Sequence, residues 1–531
     1  MGRVGLAGVH QNYLIGVDVG GTNTDAVLMQ GAKVIAACKT ATTPSVEDGV
    51  IAAISDVIEQ SAIAPEAVTM LSIGTTHFTN AFVQRMELDS VGVIRIALPA
   101  AKALPPFSGW PTDIADIVGQ HSYMVRGGLQ YDGSAYASLD EAAIAHIAQG
   151  LREAGIESVA ISGVFAPVDN DLERRARQIV LDEHTDCSVV LSSEIGRIGL
   201  LERENAGIMN AALASLAKRT ISGFRTAMAR LDLSAPLFIA QNDGTLMSAD
   251  FVEKYPVLTF ASGPTNSMRG AALLSGLEEA IVCDIGGTTT DLGVLTRGFP
   301  RESSTSVDIG GVRTNFRMPD ILAIGLGGGS LVRVEDGNIR IGPQSVGYRL
   351  REEALVFGGS TLTTTDIAVA AGYADVGDGD RVRHLNRDLV EAAVCEVHRM
   401  IEDGVDRIKT NPDPAPLVLV GGGRILVDRP LAGVSTIVSH DNADVANAIG
   451  ASIAQVSGEV DRVYSYTDLG RDKALDEAKA EAKRRAQIAG AEKDALDVID
   501  IEEVPLSYMP GGAVRVRVKV VGPLAEQGVS Q

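Results

Sequence analysis

The chain has 531 residues, is 45 % hydrophobic and carries a formal net charge of −22. That length is more than one hydrophobic core serves and divides into about two to four domains. The acidic balance excludes a nucleic-acid binder, which needs a basic surface against phosphate.

Aromatic residues make up 4 % of the chain while glycines number 57, a mix suited to closely packed α/β layers with many tight turns. Cys38, Cys187, Cys283 and Cys395 form no CxxC and read as reduced packing residues. No apolar run approaches the ~18 residues of a membrane helix. The N-terminal "MGRVGLAGVHQNYL" lacks a signal-peptide pattern, so the expectation is a cytoplasmic protein with no membrane partner.

In chain order, "LIGVDV" (14–19) is a β-branched apolar run ending in Gly20-Gly21, which predicts a buried strand and a tight turn. "AVLM" and "KVIAACKT" extend it to a three-stranded meander. "SVEDGVIAAISDVIEQS" (45–61) has helical spacing, Ser45 as cap and acids in its first turn. "VTMLSIGTT" is the next strand, and "SLDEAAIAHIAQGLREAG" (138–155) a helix capped by Ser138 and stopped by Gly155. "SVAISGVF" is a buried strand and "DNDLERRARQIVLDEH" a helix.

The second half repeats this grammar. "PLFIAQNDG" and "AIVCDIGG" are strands ending in turn residues, "TDLGVL" is a return strand, and "DILAIGLGGGSLVRV" is a strand breaking into glycine. A helix at 389–408, the strand–turn "PLVLVGGGRIL" and a last helix at 442–456 follow. Strands alternating with helices predict an α/β fold. Past Gly458 the composition changes: 467–494 reads as a solvated charged helix, and a hairpin turns at Pro510-Gly511-Gly512 into "AVRVRVKVV". The expected division is 12–235, 236–458 and a small appended α+β unit at 459–531.

One phrase occurs twice. "DVGGTNTD" spans Asp18–Asp25 and "DIGGTTTD" spans Asp284–Asp291, with six of eight positions identical. Both copies end an apolar strand and turn into another, which marks an internal duplication. In such a hairpin the glycines let backbone N–H groups approach an anion, and the threonines add hydroxyl donors. The strand-end aspartate suits Mg²⁺ or proton transfer. Two such hairpins facing one another would clamp a polyphosphate and its metal.

Twin phosphate hairpins with a later Gly-Gly-Gly turn resemble the actin-like ATPase superfamily. The resemblance implies two duplicated, ribonuclease H-like lobes with ATP and Mg²⁺ in the cleft. It assigns Gly20, Gly21, Thr22 and Thr24 to one phosphate loop and Gly286, Gly287, Thr288 and Thr289 to the other. Gly327 and Gly328 join the nucleotide site, and Gly421, Gly422 and Gly423 would face the adenosine.

Within that superfamily the chain resembles the hydantoinase A/oxoprolinase family. The phrases that carry this are "GTTHFTNA" (74–81), "SSEI" (192–195), "LERENAGIMNAAL" (201–213), "SGPTNSMRGA" (262–271), "GLGGGSL" (325–331) and "GPQSVG" (342–347). Two departures stand out: Ile73 precedes Gly74 where the family has His, and Thr265-Asn266-Ser267 replaces Ala-Gly-Gly.

The resemblance implies ATP-dependent opening of a cyclic amide such as a hydantoin, oxoproline or a lactam. Asp18, Asp25, Asp284 and Asp291 would be catalytic, with Asp18 and Asp284 organising the metal. Thr75, Thr76 and His77 are candidate substrate residues. A B-type hydantoinase subunit is the implied partner, in an oligomer. A ketone carboxylase subunit and a chaperone-like reactivating ATPase are the other classes compatible with such an ATP site. There is no GxxxxGK[ST], no GxSxG and no HExxH, so P-loop, nucleophile-elbow and zincin chemistries are unsupported.

Overall fold

The computed structural model describes residues 12–525 apart from 21–22, 42–45, 304–306, 317, 454, 508 and 510. The chain begins with β1 (Tyr13–Val19), β2 (Asn23–Gln30), β3 (Lys33–Ala41) and β4 (Val68–Thr75). β1–β3 form the antiparallel meander, and β4 lies parallel to β1. Next come β5 (Val91–Leu98), β6 (His121–Arg126), the short pair β7 (Gly128–Leu129) and β8 (Ala135–Ala137), β9 (Ser158–Gly163) and β10 (Ser188–Leu191). Of these, β10-β9-β5-β6 is a separate parallel sheet. β11 (Leu237–Ala240) and β12 (Leu246–Ser248) return to the first sheet.

The second copy starts at β13 (Ala280–Ile285), β14 (Thr290–Thr296) and β15 (Phe299–Pro300). Two hairpins follow, β16 (Val307–Ile309) with β17 (Val312–Thr314) and β19 (Ser330–Glu335) with β20 (Asn338–Ser345), and between them β18 (Ile321–Ile324) pairs antiparallel with β14 in the second sheet. β21 (Ala415–Val420) and β22 (Val434–Ser439) complete that sheet. The chain closes with β23 (Gln455–Ser465), β24 (Asp497–Pro505) and β25 (Ala513–Pro523).

The duplication is now visible as topology. One sheet reads β3-β2-β1-β4-β11 and the other β15-β14-β13-β21-β22, the same third–second–first–fourth–fifth order. Fourth and fifth strands run parallel to the first in both. Each sheet is the base of a lobe.

Two helices join the lobes. Helix Ser262–Ser275 packs on the second sheet, where Met268 Sδ fills the space beside Gly293. Helix Ala446–Ala451 packs on the first, with the Ala448 carbonyl against Gly16. They cross backbone to backbone. A Cβ on Gly270 would lie 1.9 Å from the Ala446 carbonyl oxygen, and one on Gly450 would lie 1.8 Å from that of Asn266. Only hydrogen fits at either point. The β16–β17 hairpin also crosses over, burying Ile309 and Val312 in the first lobe's core with Phe82 and Trp110.

Several local expectations change. The helix begun near Ser138 is Glu141–Glu153, and its cap is Asp140, which accepts from the Ala143 N–H. Ser45 lies outside the described residues. The last helix is only Ala446–Ala451, because the Ser452 hydroxyl bonds back to the Ile449 carbonyl and the chain leaves into β23.

The charged helix Arg471–Ile488 is not merely solvated. Ala474, Ala478, Ala482 and Ala486, spaced by four, form one buried face against β23 and β25. Nor is "AVRVRVKVV" available to a partner's sheet. It is β25, paired with β23 on one side and β24 on the other, and with them extends the first lobe's sheet to nine strands. The outer edge is β24, whose Asp497, Asp500, Glu502, Glu503 and Pro505 oppose further pairing.

Candidate active site

Both repeated phrases form the same hairpin. Asp18 at the end of β1 stands directly opposite Asp25 on β2, and Asp284 at the end of β13 stands opposite Asp291 on β14. The turns close alike: Gly20 N–H donates to the Asn23 carbonyl at 3.0 Å, and Gly286 N–H to the Thr289 carbonyl at 2.9 Å. Gly21 and Thr22 lie outside the described residues. Thr288 and Thr289 are exposed on the second turn. Thr24 is fully buried, so its hydroxyl is not presented to a phosphate in this conformation.

The glycine runs divide by role. A Cβ on Gly421 would lie 2.4 Å from Asp284 Oδ1, and one on Gly423 would lie 2.4 Å from Ile285 Cγ2, so this turn sits directly on the second hairpin. Gly287 and Gly422 face open space, the cradle a ligand needs. Gly327 and Gly328 are buried beneath the hairpin instead. Gly328 N–H donates to the Gly286 carbonyl at 3.0 Å, and Thr365 Oγ1 in turn donates to the Gly328 carbonyl at 2.8 Å. They brace the phosphate turn rather than line the ligand space, because a side chain on Gly327 would strike the Thr288 backbone.

The side chains reaching the aspartates come from far away in sequence. Asn266 Nδ2 donates to Asp18 Oδ1 at 3.3 Å and Asn447 Nδ2 to Asp18 Oδ2 at 2.9 Å. Ser267 is the buried neighbour of Asn266 and helps hold the Asp284 carboxyl down against the effect of burial. Asn266 and Ser267 are two of the residues that replace Ala-Gly-Gly in the family phrase. Lys39 stands opposite Asp25 on β3, with Nζ 2.7 Å from Asp25 Oδ2. Only Lys39 was open to detection from the sequence, through the register of the β2–β3 hairpin.

The aspartates share a field. Burial, then Asp25, pushes Asp18 up to about 6, and Asp284 adds to this from the other lobe. Burial, then Asp284, pushes Asp291 up to about 7. Burial also raises Asp284 and Asp25, with Lys39 drawing both down. The two hairpins therefore lie within electrostatic reach of one another.

Thr75 and Thr76 lie at the same end of the sheet, since Gly74 is the register partner of Asp18 and Thr75 that of Val19. Thr75 is buried and its Oγ1 accepts from the His77 N–H at 3.1 Å. His77 is not gathered with the aspartates. After burial, the charges acting on it are Glu87 and Arg219, which form an ion pair on the outer surface.

Four carboxylates against one ammonium form a cleft suited to a divalent cation. The buried Asp25 Oδ1 has no hydrogen-bond partner, in keeping with that demand. Among the described residues no three His, Cys, Asp or Glu side chains converge closely enough to hold a metal directly. The arrangement therefore fits Mg²⁺ held largely through its water shell.

A thermal test follows. With folded-state values raised above the ordinary 3.8, the stability that Asp18 and Asp291 contribute is fully present below that pH and is lost as pH rises through about 6 to 7. Millimolar Mg²⁺ is expected to raise Tm at pH 8, where both are ionised, and to have little effect at pH 5. An equal shift at both pH values would contradict the cluster's electrostatics.

The chain is similar to known proteins in sequence and in fold. Residues 14–184 match the family model described as hydantoinase/oxoprolinase N-terminal region, and residues 203–378 match the one described as hydantoinase/oxoprolinase. The chain is 26 % identical over 458 residues to caprolactamase subunit alpha of Pseudomonas jessenii, covering 78 % of this chain and 65 % of that protein. It is 24 % identical over 416 residues to the acetophenone carboxylase gamma subunit of Aromatoleum aromaticum, covering 72 % of this chain and 56 % of that protein. The chain thus spans less than two thirds of the length of these curated relatives.

The crystal structure of the ATP-dependent caprolactamase from Pseudomonas jessenii superposes with a TM-score of 0.76 at 19 % identity, over 97 % of this chain and 88 % of that one. The fold is therefore α/β with two actin-like ATPase lobes. Among the described residues no helix is long and apolar enough to cross a membrane. With paired strand-end aspartates in each of two such lobes, and with both family models matched in order along the sequence, the chain belongs to the hydantoinase/oxoprolinase family.

Proposed function

We propose that this chain binds ATP between its two hairpins and activates the carbonyl of a cyclic amide by phosphoryl transfer, as the ATP-handling subunit of a larger amidase. The carrying observation is the duplicated hairpin: Asp18 stands opposite Asp25 and Asp284 opposite Asp291, each on the first and second strands of a sheet with the same strand order.

The N–H groups and threonine hydroxyls of the second turn, Gly287, Thr288 and Thr289, would hold the phosphates. Gly422 offers the open surface for the adenosine. Asp18 and Asp284 would hold the water shell of Mg²⁺. When bound, Mg²⁺ would neutralise charge on the transferring phosphoryl oxygens. Asp291, pushed up to about 7, is poised to exchange a proton with an acceptor or a water near neutral pH.

Amide resonance makes the ring carbonyl a poor electrophile. Moving the γ-phosphoryl group onto its oxygen creates a leaving group and opens the carbon to water. The net products are ADP, inorganic phosphate and the ring-opened amino acid.

The relatives' names describe subunits, which supports a B-type partner for the hydrolytic half. The carboxylase relative favours a second reading, in which a ketone and bicarbonate are the acceptors. The test is ATP turnover by the purified chain, with and without a co-expressed B-type subunit, against a lactam, 5-oxoproline, a hydantoin, and ketone plus bicarbonate. A cyclic amide is expected to raise turnover and to be opened only with the partner. Stimulation by ketone plus bicarbonate alone moves the chain to the carboxylases; stimulation by a protein alone makes it a remodelling ATPase.

A further inference from the structure

Asp18 is held by the two helices that cross between the lobes. From helix Ser262–Ser275, Asn266 Nδ2 reaches Asp18 Oδ1 of the first lobe. Asn447 comes from the other crossing helix to the free oxygen of Asp18. Each Asp18 oxygen thus receives one amide N–H, which fixes the carboxylate plane.

The backbone is shaped around this contact. A Cβ on Gly74 of β4 would lie 2.2 Å from Asn266 Nδ2 and 2.5 Å from Asp18 Oδ1, so a glycine is required for the pair to meet. Asn266 is buried, and its carbonyl oxygen sits where Gly450 lets the second helix touch the first. The donors are thus placed at the point where the two crossing helices are in closest contact.

We infer that Asn266 and Asn447 are positioning residues for phosphoryl transfer: from the point where the two crossing helices touch, they set Asp18 for its task toward the cation. This rests on the ATP-dependent reading above. Partners that orient a metal-organising carboxylate typically cost about 10- to 100-fold in cation affinity or activity when removed.

The experiment uses the full chain with Asn266→Ala, Asn447→Ala and, for partial restoration of a donor, Asn266→Ser. Mn²⁺ binding is read by EPR with a non-hydrolysable ATP analogue, beside kcat, KM for ATP and Tm. Both alanine variants are expected to weaken Mn²⁺ binding and lower kcat by about tenfold or more, with KM for ATP nearly unchanged and Asn266→Ser intermediate. Should the variants lose only Tm, with Mn²⁺ affinity and kcat intact, the asparagines merely pack the helices and the inference is overturned. If Asn266→Ala does not fold, Asn447→Ala, at a half-buried site, decides alone. A wild-type chain without ATP turnover would sink the functional reading instead, a separate result.

Discussion

Asp284→Asn is expected to remove most ATP turnover and yet to raise the melting temperature of the ligand-free chain. The change is nearly isosteric, so the hairpin register with Asp291 and the contact under Gly421 should survive. What disappears is a buried negative charge. In the ligand-free state that charge is a cost, because burial already raises the Asp284 pKa and Asp284 in turn raises both Asp18 and Asp291. During turnover the same charge organises the cation, a role worth several kcal/mol of transition-state stabilisation, or roughly 10²- to 10³-fold in rate. Steady-state turnover and thermal unfolding on one preparation check both halves. Unchanged turnover would contradict the assignment. Asp25→Asn should raise the melting temperature less, since Lys39 offsets part of the cost of burying the Asp25 charge.

Lys519→Met is expected to destabilise the fold by about 3–5 kcal/mol, the usual result of leaving buried charges without their partner. Lys519 lies on β25 at 3 % side-chain exposure, with Nζ 3.0 Å from both Asp243 Oδ2 and Glu302 Oε1. Asp243 belongs to the turn between β11 and β12 of the first lobe, and Glu302 follows β15 of the second. The C-terminal strands therefore fasten the lobes together as well as extending one sheet. Burial pushes the Asp243 carboxyl up, but Lys519 and the Thr245 hydroxyl hold it below its ordinary value. Its contribution to stability is present above that ordinary value and is lost as pH falls. Without Lys519 the burial effect wins and the sign reverses. The variant should be weakest near neutral pH and recover part of its deficit near pH 5. Denaturant unfolding at the two pH values measures this. A loss below about 1 kcal/mol at neutral pH would show the cluster to be solvated.

The same cluster bears on assembly. Deleting 459–531 strips β24, β25 and most of β23 from the first lobe's sheet. The expected damage is to the fold itself.

Much of the architecture was legible because its signals are local. The duplicated Asp-Gly-Gly-Thr phrase, the apolar strands before it and the glycine turns are short-range patterns whose periodicity dictates strand and turn. Their 266-residue offset implied the twofold-repeated strand order, and the register partners Asp18–Asp25 and Asp284–Asp291 follow from the hairpins alone. Composition marked a change past Gly458, but the strands beyond it extend the first lobe's sheet instead of standing apart.

What the pattern could not reveal lies at long sequence separation. Asn447 and Asn266 meet Asp18 across 429 and 248 residues; Asn266 stands out only as a departure from the family phrase, and no local pattern ties either residue to Asp18. Gly327 and Gly328 look like ligand-facing glycines but serve as braces, because the space beside them is filled by the Thr288 backbone and by Thr365. His77 shares a threonine-rich turn with Thr75 and Thr76 but is turned toward Glu87 and Arg219. β25 has the alternation of a half-exposed edge strand, yet Lys519 is buried against acids from both lobes. Local propensity sets which elements form, but the partner each side chain finds depends on how the sheets and crossing helices pack. That packing is decided by close backbone contact at Gly270, Gly450 and Gly74, where a single added methyl group would not fit.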